Sequence, residues 1–295
     1  MIFRSPENVI AEIESLMIEY GVNKFAFLDD AITISKKHIQ GICQLITDHA
    51  LNISWICNSR IDTVSRELLA MMKAAGCKAI DFGIESGNPE TLRKVRKGIT
   101  PEKAVEVLRW TKELCIESMA NFMYGFPWET PKDIRISTDY MRNEILPLAD
   151  SIMPAGISIP FPGTELYEEH KDVYHLENWW LKNEIRDDVK LRVSQPLFER
   201  IFFSYYTLED DFFNYSPEII KEIENAAKIV GRHNLLKYCK RLSSNKLVQL
   251  FLREVLYLLV LVSRALYKMN PKLERVIMKP ILALASKYQL QENKR

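Results

Sequence analysis

The chain has 295 residues, 47% hydrophobic and 27% charged, which is ample for one large core plus an appendage, and its net charge of +1 argues against a general nucleic-acid binder. Five cysteines, Cys43, Cys57, Cys77, Cys115 and Cys239, are scattered without zinc or cluster spacing, which predicts reduced, mostly buried thiols in a cytoplasmic setting. Met1 to Pro6 shows no apolar signal core, and the longest apolar stretch, Leu247 to Val262, is broken by Gln249, Arg253 and Glu254, too short and interrupted to read as a membrane span.

The first half alternates helix and strand. Ser5-Pro6 supplies an N-cap and a first-turn proline, Val9, Ile10, Ile13, Leu16 and Met17 share one helical face, and Gly21 ends the helix. Lys24 to Leu28 reads as a strand. Ser35 caps a helix carrying Ile39, Ile42, Cys43 and Ile46. Ile53 to Cys57 is the next strand, Ser65 caps a helix ending at Gly76, and Ala79 to Ile84 is the third strand. Thr100-Pro101 opens a helix, Met119 to Tyr124 is a strand, and Thr130-Pro131 opens another helix with Asp133 placed for a capping box. Ser151 to Ile159 is the last strand.

Strands that alternate with helices imply a parallel sheet with crossover connections, here an open or partial (β/α) barrel. The first helix lacks a preceding strand, so a strand is expected upstream of it. After about residue 165 the alternation stops. An aromatic stretch over 176–215, with Trp179, Trp180, Phe202, Phe203, Tyr205 and Tyr206, leads to helices over 217–242, 246–269 and 272–290. The expected organisation is an α/β partial barrel over 1–170 and a mostly helical extension over 171–295.

Ligands of parallel α/β sheets gather at the carboxyl ends of the strands. Those ends read Phe27-Leu28-Asp29-Asp30, Asn58-Ser59-Arg60, Gly83-Ile84-Glu85-Ser86-Gly87, Gly125-Phe126-Pro127-Trp128-Glu129-Thr130 and Pro162-Gly163-Thr164. In this order they resemble the radical S-adenosylmethionine (radical SAM) family, in the branch that often carries an upstream cobalamin-binding domain. The resemblance covers about residues 4–170.

The resemblance implies roles. Asp29 or Asp30 would contact the SAM amino group, since a carboxylate accepts from an ammonium; a strand-end cap is the alternative. Glu85 would accept from the ribose hydroxyls, or else pair with Arg60 or Arg93. Ser86 and Gly87 would let the backbone turn close to the ligand. Arg60 would engage the SAM carboxylate, Glu85 or a structural partner. Gly125, Phe126 and Pro127 would pass beneath the adenine, or form a simple turn. Tyr124, Trp128 and Phe161 are candidate cavity aromatics, and Lys97-Gly98 reads as structural. A magnesium site on Asp29, Asp30 and Glu85 is an alternative that leaves the ordered motifs unexplained.

The family holds a four-iron four-sulfur (4Fe–4S) cluster on a Cys-x3-Cys-x2-Cys loop after its first strand. No such loop occurs in residues 1–295. The expectation is a barrel truncated at its N-terminus, without cluster ligands or SAM cleavage of its own. An upstream segment or separate polypeptide would supply the first strand and the cluster, and cobalamin would depend on an absent upstream domain. The alternative is a non-catalytic scaffold or gene fragment on the same fold. The small-molecule substrate is not readable from these residues.

Residues 246–295 carry ten Lys/Arg against three Asp/Glu, leaving 30 basic and 36 acidic residues in the rest. Leu247, Leu250, Phe251, Leu256, Leu258 and Leu259 cover much of a helix circumference, which predicts burial between neighbours. With Arg264, Lys268, Lys272, Arg275 and Lys279 following, the alternative is peripheral membrane contact through 243–295.

Overall fold

The computed structural model describes residues 3–153, 156–179 and 212–280. The chain divides into two compact units, Met1–Tyr124 with Trp128–Gly156, and Gly125–Pro127 with Ile157–Arg295.

The first unit is a parallel sheet flanked by helices. Its strands are β1 (Lys24–Phe27), β2 (Ser54–Arg60), β3 (Cys77–Glu85), β4 (Glu117–Tyr124) and β5 (Ser151–Ile152). They are paired in the order β1-β2-β3-β4-β5, every pair parallel, and the sheet does not close. The helices are α1 (Pro6–Tyr20), α2 (Lys36–Asp48), α3 (Arg66–Ala74), α4 (Pro89–Lys94), α5 (Pro101–Glu113) and α6 (Pro131–Tyr140). Local capping starts them as expected. Ser5, Ser35, Ser65 and Thr100 each accept from the backbone N–H three residues on, and Thr130 with Asp133 forms a full capping box.

The expected last strand, Ser151 to Ile159, is broken. β5 ends at Ile152, and a separate piece, β6 (Gly156–Ile157), also joins β4. Met153 belongs to neither piece, and 154–155 lie outside the described residues. The short helix α4 and a π-helical turn at Met141–Ile145 were not foreseen.

Alternation along the strands separates two faces. Trp55, Cys57, Ser59, Ile80, Phe82, Ile84, Ala120, Phe122 and Tyr124 are buried. They belong with Ile39, Ile42 and Ile46 of α2, Leu68 and Met72 of α3, and Val107 and Leu108 of α5 in the buried core. Each such large apolar side chain contributes roughly 1.5–3 kcal/mol by burial. Trp55 is accommodated because its indole N–H donates to Ala75 O at 2.7 Å. Residues of the other parity, including Ile56, Asn58, Arg60, Asp81, Gly83, Glu85, Met119 and Asn121, remain partly or fully accessible.

The second unit contains α7 (Glu165–His170), α8 (Pro217–Leu242) and α9 (Lys246–Met269), with further helix at 271–280. One core joins Ile157, Tyr167, Leu176, Phe212, Phe213 and Tyr215, with Trp179 packed against it. Trp180, Phe202, Phe203, Tyr205, Tyr206 and residues 281–290 of the expected last helix lie outside the described residues.

Candidate functional site

Glu85 closes β3 with φ of 69°, a left-handed conformation that a residue with a Cβ adopts only under local constraint. The pairing register with β4 shifts between Gly83 and Glu85, so the bulge re-aims the carboxylate. Lys97, twelve residues on, donates from Nζ to Glu85 Oε1 at 2.7 Å, with both side chains at most 17% exposed. Gly83 lies beneath this pair, and a Cβ there would stand 2.6 Å from Glu85 Oε1 and 2.8 Å from Lys97 Nζ.

Lys97 also serves Arg60. Arg60 Nη2 donates to the Lys97 carbonyl at 2.9 Å, while its guanidinium holds Asp62 bidentately at 2.9 and 2.7 Å. That bond raises the Arg60 pKa and holds the Asp62 carboxyl below its ordinary range. The direct partner of Arg60 is therefore Asp62, not Glu85, and Arg93 pairs with Glu90. Rim position alone left those partners open.

Ser86 is fully buried. Its Oγ lies 3.3 Å from Ser137 Oγ and accepts from Asn88 N at 3.1 Å, while Gly87 N donates to Ser137 Oγ at 2.9 Å. Asn88 Nδ2 then donates to Asp133 Oδ1 at 2.8 Å. Ser86 thus ties the end of β3 to α6, and Gly87 packs against the Tyr140 ring, where a Cβ would come within 2.3 Å.

Asp29 and Asp30 follow β1 in an exposed bend, and the Asp29 carbonyl accepts from Asn58 Nδ2 at 3.2 Å. Ser59 turns inward to Thr33 at 2.6 Å. Gly125, Phe126 and Pro127 belong to the second unit, where the Gly125 carbonyl accepts from the Tyr215 hydroxyl at 2.7 Å and Phe126 is buried. Tyr124 is wholly buried among core residues, which removes it from the candidate cavity aromatics. A cavity of about 560 Å³ between α4 and the start of α5 is lined by none of the expected site residues.

Two polar residues on the accessible face escaped the sequence reading. Burial pushes the Asp81 carboxyl up to about 6, with the Asn121 amide opposing and the Glu85 charge adding to the rise. Asp81 Oδ1 and Asn121 Oδ1 are buried acceptors without a hydrogen-bond donor. Such oxygens are rare without a ligand, water or ion to serve. Strand alternation, which puts Asp81 on the same face as Gly83 and Glu85, was the available signal.

Among the described residues no group of three His, Cys, Asp or Glu side chains is placed to hold a metal ion, so Asp29, Asp30 and Glu85 do not assemble the alternative magnesium site. Cys43, Cys57 and Cys77 approach one another in the core closely enough to raise thiol pKa values. Burial drives Cys43 to about 12, and a bond to Cys77 raises Cys57 further. Their positions in the chain do not reproduce the Cys-x3-Cys-x2-Cys spacing of the family's cluster loop.

The sequence profile of the radical SAM superfamily matches residues 1–141. Residues 1–141 are a radical SAM domain. The chain is 31% identical over 228 residues to an uncharacterised methyltransferase, PH0819, of Pyrococcus horikoshii, covering 74% of this chain and 49% of that relative. It is 30% identical over 177 residues to the anaerobic magnesium-protoporphyrin IX monomethyl ester cyclase of Cereibacter sphaeroides, covering 57% of this chain and 28% of the cyclase. The chain therefore spans half or less of these relatives. Among solved structures, the radical SAM methyltransferase TsrM of Kitasatospora setae, with cobalamin and a 4Fe–4S cluster bound, matches at 22% identity with a TM-score of 0.52, over 58% of this chain and 34% of that one. That likeness shows the fold of the radical SAM domain.

Proposed function

We propose that this radical SAM domain binds SAM at the carboxyl ends of its strands, with Glu85 as the ribose acceptor. The observation that carries the reading is the Lys97–Glu85 pair. Lys97 fixes Oε1 and leaves Oε2 to accept from vicinal hydroxyls, and the half-buried setting strengthens that bond. Lys97 and Arg60 act as positioning residues for the carboxylate. On the same face, Asp81 and Asn121 offer acceptors to a substrate that carries N–H or O–H donors.

Reductive cleavage of SAM in this family is supplied by a 4Fe–4S cluster. No Cys-x3-Cys-x2-Cys spacing occurs in residues 1–295, so we place its ligands on another segment or polypeptide. Cobalamin, which TsrM holds, enters the proposal the same way, as a group that the whole assembly would carry. The methyl-transfer and cyclisation chemistries of the two relatives are the candidate reaction classes.

Thermal denaturation of the chain with increasing SAM tests the binding claim. A concentration-dependent rise in Tm is expected, as for any ligand selective for the native state. No rise at millimolar SAM would overturn it.

A further inference from the structure

The longest apolar helix of the second unit buries only one side. Val260 packs with Leu235 and Met278, joined by Leu256, Tyr257, Leu259 and Leu266. The expectation that this helix is buried between neighbours is corrected by its opposite face. There Leu247, Phe251, Leu258, Val262 and Met269 are exposed by 77, 68, 60, 40 and 76%. At 3.6 residues per turn these five fall within a sector of about 60°, forming one stripe roughly 33 Å long. The one acid of α9, Glu254, is engaged by Arg253 at 2.6 Å and Arg232 at 3.5 Å.

Charge is arranged with the same bias. Lys268 ends α9, and 271–280 adds exposed Lys272 and Lys279 beside exposed Val276 and Ile277. The only carboxylate between 261 and 280, Glu274, is 1% exposed and accepts from Ser263 Oγ at 2.5 Å. The acid is withdrawn from the surface and the cations are left on it. A second copy of the chain would bring like charges together on this face, whereas an anionic bilayer satisfies both the stripe and the cations. No described helix is long and apolar enough to cross a membrane.

We propose that α9 and 271–280 lie on an anionic lipid surface. The stripe of α9 enters the acyl boundary, and Lys268, Lys272 and Lys279 face the headgroups. This inference is independent of SAM binding at the sheet.

Flotation of the full chain with vesicles of equal parts phosphatidylcholine and phosphatidylglycerol, and with phosphatidylcholine alone, tests it. The chain floats with the anionic vesicles, not with the neutral ones, and salt releases it. Lys272→Gln and Lys279→Gln each weaken binding about fivefold. Phe251→Glu with Leu258→Glu abolishes flotation while Tm is retained, because both sites are exposed. Failure to float with anionic vesicles, or unchanged flotation of these variants, overturns the proposal. A dimer that the stripe variants dissociate and that does not float assigns the face to a second copy instead, and equally overturns it.

Discussion

Lys97 and Glu85 meet at 2.7 Å beside Gly83, where a Cβ would displace the tips of both side chains. Glycine there leaves the space in which the acid and base pair at the strand end.

Gly83→Ala tests that relationship. The added Cβ would collide with the tips of two flexible side chains rather than with backbone. The pair should yield with a stability cost of about 1 kcal/mol or less. SAM affinity should fall about tenfold or more, because Glu85 is displaced from its anchored position. Paired Tm and SAM titrations read the two effects separately.

Gly87→Ala should behave oppositely. Its Cβ would meet the Tyr140 ring at 2.3–2.5 Å, and that ring is anchored by its hydroxyl, which donates to Pro101 O at 2.6 Å. Loss of about 2–3 kcal/mol in urea unfolding is expected, as for overpacked cores. Combining it with Tyr140→Leu should recover part of that loss.

Asp81 predicts a pH dependence. Its carboxyl is raised from 3.8 to about 6 in the folded chain, so the native state favours the protonated form. The stability this confers is present in full below pH 4 and is lost as pH rises through 6. Asp81→Asn should raise Tm at pH 8, by up to about 2 kcal/mol of stability after solvent screening, and give no such gain near pH 4. Thermal scans of both proteins across that range decide it.

Four of the five cysteines are buried and Cys115 is exposed. Native protein should therefore show one fast thiol toward an aromatic disulfide reagent, and five after unfolding. Anaerobic reconstitution with iron and sulfide should leave the chain without a stoichiometric cluster. Roughly four bound irons per chain, with absorbance near 400 nm, would show that the core thiols can be recruited.

Much of the first unit was legible from local chemistry. Ser5, Ser35, Ser65, Thr100 and Thr130 act on N–H groups three residues away, so their helices could be read from short windows. The strand ends at Asp29, Arg60, Glu85 and Gly125 were legible in the same way, whereas the one expected before Pro162 was not, since β5 ends at Ile152 and β6 at Ile157. The partners were not. Glu85 had Arg60 and Arg93 as expected partners, and the structure pairs it instead with Lys97, beside the register shift in β3. Tyr215 reaches Gly125 across 90 residues, and Asp62 captures Arg60 through a short helical turn that no periodicity announces. Cys43, Cys57 and Cys77 converge because α2, β2 and β3 stack, a fact absent from their spacing.

The most direct test of SAM recognition is calorimetric titration of SAM into the full chain and into Glu85→Gln. Saturable binding is predicted for the parent, weakened about ten- to a hundredfold in the variant, as for loss of a hydrogen bond to a charged group. Equal affinity in both proteins would contradict the role given to Glu85, and no binding to the parent would contradict the site itself.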